Sequence, residues 1–174
     1  MRASGGLLVA LVACAGCGGP SPPRPEPAPP PRAEAARTSG AVRREAHDLT
    51  VDERLGGHTL QRHVGRTDAQ LAERLRRERN ISAASTYADQ ETASTVVAAA
   101  LADSKPKVDA WLARRGSRPN LVLHYRHMNG PPIGRSIERG ARDAELCHSA
   151  LVVLRWDDRG GRSYVLTSYP ESDR

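Results

Sequence analysis

The side chains best suited to chemistry in this chain are its histidines, 6 in 174 residues. An imidazole titrates near neutral pH and can take or give a proton. Two of them fall in one short string, Gly56-Gly57-His58-Thr59-Leu60-Gln61-Arg62-His63-Val64-Gly65-Arg66-Thr67. His58 and His63 are five apart, which is not one face of a helix, and the odd spacing puts them on opposite faces of a strand. Cys147 and His148 are adjacent and lack partners at zinc-finger spacing. There is no phosphate-cradling P-loop, no dinucleotide glycine fingerprint and no Gly-x-Ser-x-Gly nucleophile turn, and Gly56-Gly57 reads as a turn. Thr167 and Tyr169 lie two apart in a β-rich run, so their hydroxyls share a strand face. The chemistry on offer is proton transfer and hydrogen bonding, with no metal and no cofactor expected.

The elements that must position these groups divide the chain in two halves. Thr67-Asp68-Ala69-Gln70 has the form of a capping box, and Leu71 and Leu75 then make one apolar stripe. Arg74, Arg76, Arg77 and Arg79 fall around the rest of that helix. A second helix is predicted from about Asp89 through Leu101. A third starts at Ser104-Lys105-Pro106, carries Val108, Trp111 and Leu112, and stops at Gly116. Beyond it the period changes. Strands are expected at Leu121–Tyr125, Ile133–Glu138, Ala150–Arg155 and Ser163–Tyr169, the last two joined as a hairpin through Asp157–Gly161. Helices first and strands later indicate an α+β fold with helices packed on a largely antiparallel sheet.

Composition narrows the class further. The 174 residues allow one domain with a tail, and two small domains would each lack core. Six aromatics and no Phe argue against a sheet that stacks single-stranded bases on exposed rings. Three Cys cannot staple a chain this long. The net charge of +6 is shared between the first 47 residues and the rest, where 20 Lys+Arg face 17 Asp+Glu. A substrate site would therefore rest on a few placed Arg rather than a broad basic field.

The N-terminus reads as an export signal, with Arg2 followed by the apolar run Leu7–Ala13, too short to span a bilayer. Leu11-Val12-Ala13-Cys14 resembles a bacterial lipobox, which implies removal of residues 1–13 and a lipid anchor on Cys14. The absence of Asp after Cys14 favours the outer membrane over the inner. Residues 14–47 hold eight Pro between Pro20 and Pro31 and read as a semi-rigid tether that cannot pack a core. The folded domain is expected over 48–174.

The Gly56–Thr67 string, together with Ala84-Ser85-Thr86-Tyr87, Trp111-Leu112, Leu121–Tyr125, Pro132-Ile133-Gly134-Arg135, Val152–Arg155 and the ending Val165-Leu166-Thr167-Ser168-Tyr169-Pro170, resembles the bacterial ribonuclease A-like toxin domain. That domain ends contact-dependent-inhibition and other polymorphic toxins. The resemblance covers nearly all of 53–170. It implies a ribonuclease A-like fold without disulfides and an active site of His63, Arg74, Thr167 and Tyr169; His58 and Arg66, in the first string, are candidate substrate-binding residues. These types suit metal-independent RNA cleavage by attack of the 2′-oxygen. His63 would move the proton, Arg74 would hold phosphate oxygens, and the two hydroxyls would position the phosphate. RNA is then the substrate, an immunity protein the expected inhibitor, and the protein is expected to be a monomer, displayed on the envelope or delivered from it.

Each residue also has a plainer reading. His63 would be a packed histidine holding the first helix, His58 a partner of local backbone, Arg74 a solvated helix residue, and Thr167 and Tyr169 an exposed strand face. Taken together, these define a second reading, a non-catalytic envelope lipoprotein of the same fold binding an acidic or RNA-like partner.

Overall fold

The computed structural model describes residues 46–173. The segment read as a signal peptide, Cys14, Cys17 and nearly all of the tether lie outside the described residues. All described residues belong to the unit Val42–Arg174. No helix among them is long and apolar enough to cross a membrane.

Five helices and six strands are formed by the described residues. Helix α1 (Leu49–Arg54) and helix α2 (Thr59–His63) precede α3 (Asp68–Arg77). Strand β1 (Ala83–Tyr87) leads to α4 (Gln90–Asp103) and α5 (Lys105–Leu112). Strands β2 (Leu121–Arg126), β3 (Gly134–Glu138), β4 (Glu145–Cys147), β5 (Ser149–Asp157) and β6 (Arg162–Glu171) complete the chain. The fold is α+β, as its sequence indicates. The strands form two antiparallel sheets of three, ordered β1-β3-β4 and β2-β5-β6.

Helix α3 carries the full capping box, Gln70 N donating to Thr67 Oγ1 at 3.3 Å and Thr67 N to Gln70 Oε1 at 2.9 Å. Asp89 caps α4 by accepting from Thr92 N. Two expected boundaries move. Helix α5 stops at Leu112, capped by Ala113 rather than by Gly116, which takes its positive φ three residues farther on. Ser104 makes no side-chain cap there, because it serves at once as the last cap of α4 and the first of α5. Helix α3 also ends before Arg79. Its last turn is closed by a side chain from far along the chain: the Arg139 guanidinium donates to the carbonyls of Leu75, Glu78 and Ile81.

The two sheets have separate cores. Leu71 and Leu75 of α3 pack on Ala84 and Ile137, which pair across β1 and β3. The larger cluster joins Val96, Val97 and Ala100 of α4 to Leu123, Val152, Leu154 and Val165 of the second sheet, with Leu49, Tyr87 and Trp111. Burying each such side chain contributes roughly 1.5–3 kcal/mol. Tyr87 ties the sheets together through a buried 2.6 Å hydrogen bond to Ser168 Oγ.

Strand β6 holds the feature on which the site depends. Val153 pairs with Thr167 but Leu154 pairs with Val165, so Leu166 is an extra residue in β6. Partners across a ladder share a face. Val165, Ser168 and Pro170 therefore lie with the buried Leu154, Val152 and Ala150. Thr167 and Tyr169 lie on the opposite face with Val153 and Leu151. Strict alternation would have sent Val165, Thr167 and Tyr169 to one side. The bulge puts the valine in the core and turns both hydroxyls outward.

The start of the domain clamps this bulge. Asp52, buried, accepts from Val165 N at 2.8 Å and lies 2.6 Å from His47 Nε2. His58 N donates to the Leu166 carbonyl, and Ser168 N donates to Thr59 Oγ1 at 2.8 Å. Gly57 permits the approach, since a Cβ there would lie 2.6 Å from the Val165 carbonyl oxygen. Asp52→Ala would strand the Val165 N–H. It is expected to lower stability by about 2–3 kcal/mol in urea unfolding, and Asp52→Asn by less, because the amide oxygen still accepts.

Candidate active site

Helix α2 delivers one imidazole at each end. His58 is its N-cap residue and His63 its last residue, so the five-residue spacing that forbids a common helix face still brings both rings to one cleft. Arg74 reaches it from α3, and Thr167 and Tyr169 reach it from the outward face of β6. The cleft encloses about 550 Å³. Its wall on the first sheet is the face of β1 and β3 opposite α3, where Ser85 and Ser136 pair.

His63 is 6% exposed. Its Nδ1 lies 3.3 Å from the Ser85 carbonyl oxygen, which can only accept, so Nδ1 carries the proton and Nε2 keeps its lone pair. Its ring leans on Tyr169, centroids 5.2 Å apart and planes tilted by 30°. Burial, reinforced by the positive charge of Arg74, pushes the His63 pKa down to about 3. The imidazole is thus neutral at neutral pH, the form that can accept a proton. The His58 pKa is also lowered, by burial first and then by Arg62. Burial raises the Tyr169 pKa, helped by Glu171, which keeps its hydroxyl a donor.

Two polar atoms of the cleft are orphaned. Arg74 Nη1 and Thr167 Oγ1 are buried and have no hydrogen-bond partner among the described residues. Arg74 makes only a 3.3 Å contact from Nε to Glu78 Oε1. An unpaired buried donor costs about 1–3 kcal/mol, so keeping two beside one imidazole is the signature of a site completed by a polar ligand. Imidazole, guanidinium and hydroxyls facing one cavity can take a proton from a hydroxyl and stabilise an oxyanion on phosphorus.

Four residues named from sequence, His63, Arg74, Thr167 and Tyr169, therefore share one cleft, and His58 lines it too. Arg66 does not. Its Nη2 donates to the Gln61 and Leu60 carbonyls at the end of α2, and it lines a neighbouring groove. The remaining histidines stand elsewhere. His124 pairs with Glu171, His148 with Asp173, and His127 contacts Tyr125. Sequence reasoning missed Ser85, Ser136 and Glu171. The two serines meet only through strand pairing, and β1 itself, with β4, α1 and α2, had no periodicity long enough to read. Cys147 is buried and free, and desolvation pushes its thiol up to about 12, a packed rather than a reactive cysteine. Among the described residues no three His, Cys, Asp or Glu side chains group as metal ligands.

The depressed His63 pKa has a stability consequence. Unfolded chain takes up a proton as pH falls below 6.5, while the folded ring does not until about 3. Stability is then complete above pH 6.5 and is lost as pH falls through that window, with a slope approaching about 1.4 kcal/mol per pH unit. Urea unfolding at several pH values should show this slope, and His63→Gln should flatten it.

Helices on antiparallel sheets, with an imidazole, a guanidinium and paired hydroxyls in a cleft against β6, fit the ribonuclease A-like class of protein that the sequence resemblance implies. Within that class the match is specific. The family model of the bacterial CdiA-CT RNAse A domain matches residues 57–170, and the chain belongs to this family of ribonuclease toxin domains. A similar solved structure is one chain of the CdiA-CT/CdiI complex from Y. kristensenii 33638. It is 31% identical, with 66% of this chain and 99% of that chain covered and a TM-score of 0.57. No curated protein matches.

Proposed function

We propose that the domain is a metal-independent endoribonuclease that cleaves RNA by 2′-O transphosphorylation. The observation that carries this reading is the cleft itself, in which a neutral, buried His63 stands with the orphaned Arg74 Nη1 and Thr167 Oγ1. His63 Nε2 takes the proton of the 2′-hydroxyl, and the 2′-oxygen bonds to phosphorus. The phosphorus–5′-oxygen bond breaks, leaving a 2′,3′-cyclic phosphate, and the 5′-oxygen is protonated from solvent. Arg74 holds the non-bridging oxygens, and Thr167 and Tyr169 donate to the charge that develops on them. His58 serves as a substrate contact. Arrival of the phosphate offsets the Arg74 charge and raises the basicity of His63 as the proton is needed.

Every role except protonation of the 5′-oxygen, which falls to solvent, is met by a side chain already in the cleft, which supports a reaction needing no metal or cofactor. The test is cleavage of a defined RNA by the purified protein, with and without EDTA. Equal cleavage in both arms and cyclic-phosphate ends are expected. Loss of activity in EDTA, or 5′-phosphate products, would defeat the proposal.

The wider setting is proposed on the same footing. The relative from Y. kristensenii was solved as a CdiA-CT/CdiI complex, which supports a cognate immunity protein here. The lipobox-like Leu11–Cys14 and the Pro-rich tether support a domain held at the cell envelope, the outer membrane in preference to the inner, by lipid on Cys14. Mass spectrometry of the membrane-extracted protein would detect acyl chains on Cys14, and an unmodified mature N-terminus would refute the anchor.

A further inference from the structure

Beside the catalytic cleft, between α2 and α3, lies a second groove of about 240 Å³. Four guanidinium groups line it, those of Arg62, Arg66, Arg74 and Arg77, together with Gln70 and a single carboxylate, Glu78. Over residues 48–174, groove included, 20 Lys+Arg face 17 Asp+Glu, an excess of three, and the groove sets four Arg against Glu78. The basic excess of the domain is therefore matched by this one groove. Arg74 lines both cavities, so the groove lies directly beside the cleft.

Its cations are also poorly satisfied. Arg62 is exposed, and its side chain has no hydrogen bond or ion pair among the described residues. Arg77 is 73% exposed and reaches only Glu73, which also binds Arg76. Arg66 Nε is buried without a partner, although its Nη2 is fixed on the end of α2. That arrangement sets a fixed donor and two exposed cations along one groove. A polyanion threading past Arg74 would meet all of them, with Glu78 kept occupied by Arg74 Nε.

We propose that this groove is a flanking phosphate subsite, which binds the backbone of a single-stranded RNA one or more nucleotides away from the bond being cut. The inference rests on the ribonuclease reading of the adjacent cleft. Contacts of this kind position the strand and carry no base preference. They add affinity for substrates longer than the scissile dinucleotide and make that affinity depend on salt.

The test is the double variant Arg62→Gln/Arg77→Gln in the full chain at pH 7.5, where His63 is neutral with or without Arg62. Two RNA substrates are compared, a dinucleotide that fills only the cleft and a chain of about ten nucleotides. For the longer RNA, kcat/KM is expected to fall about tenfold, mostly through KM, and its log–log salt slope to shrink by about 0.7 for each phosphate that is no longer neutralised. Dinucleotide cleavage should be unchanged. A loss shared equally by both substrates, or none for the longer one, overturns the subsite. Binding of a fluorescent DNA oligonucleotide, which lacks the 2′-hydroxyl, gives a readout that needs no catalysis. If the protein cleaves nothing, the ribonuclease reading fails, while salt-sensitive binding that depends on Arg62 and Arg77 still upholds the groove. Binding that ignores both substitutions overturns it, including the case in which the groove serves an acidic protein instead.

Discussion

His63→Ala is expected to lower kcat/KM for RNA by about 100- to 10,000-fold, the range in which a positioned general base contributes. The expectation follows from three features of the ring. It is nearly enclosed, its Nδ1 is fixed on the Ser85 carbonyl, and its Nε2 is left as the only uncommitted nitrogen. A histidine there for packing alone would be neutral too, through burial; what packing leaves unexplained is the pair of orphaned donors that share its cleft. The measurement is steady-state cleavage of a defined oligonucleotide, with circular dichroism and urea unfolding run alongside. His63→Gln keeps more of the volume and the polar contact, so it separates lost chemistry from lost structure. The wild-type acid limb carries a second signature. Because the ring resists protonation to about 3, kcat/KM in the free enzyme should not fall at the ordinary histidine value near 6.5. Full activity in a well-folded His63→Gln protein would remove His63 from the mechanism.

Arg74→Ala is expected to cost about 100- to 1,000-fold, chiefly in kcat, as for loss of one preorganised donor to a developing oxyanion. Its Nη1 has no partner in the free protein, so the interaction it can make is reserved for the bound state. Arg74→Lys keeps the charge but loses the planar fork, and should recover only part of the rate. Arg74→Ala also removes the cation that acts most strongly on His63, so the ring's pKa should rise, while burial still holds it below its ordinary value. An NMR titration of the His63 ring would follow that rise independently of catalysis. An Arg74→Ala protein that loses only affinity, with kcat intact, would place Arg74 in ground-state binding and not in stabilising the transition state.

Much of this arrangement was legible in the chain, for local reasons. The capping box at Thr67, the Leu71/Leu75 stripe and the hairpin ending in Tyr169 depend on neighbours within a few residues, and short-range chemistry is what a sequence displays. The four residues carried over from the family resemblance share one cleft. Arg66 illustrates the limit. As a residue type it suited phosphate, but only the fold showed that the open carbonyls at the end of α2 hold its guanidinium in the groove beside the cleft and not in the cleft itself. His58 illustrates the converse. Its spacing from His63 looked wrong for cooperation, yet a five-residue helix points its two ends at the same cavity.

The sequence by itself determined the α+β class, the helices with clear caps, the two-apart hydroxyls of the last strand and the absence of a disulfide framework. Only the tertiary structure decided which way those hydroxyls face. The pattern of Val165, Thr167 and Tyr169 gives all three one side of an unbroken strand. The extra residue Leu166, its carbonyl held by His58 N and the N–H of its neighbour Val165 held by Asp52, both from more than a hundred positions earlier, reverses the pattern between the first and the second. The physical reason is that a bulge is stabilised by partners for its displaced backbone groups, and here those partners come from the opposite end of the domain. The low pKa of His63 was hidden for the same reason. It arises from burial beneath β1 and β6 and from a guanidinium on another helix, neither of which exists until the chain has folded.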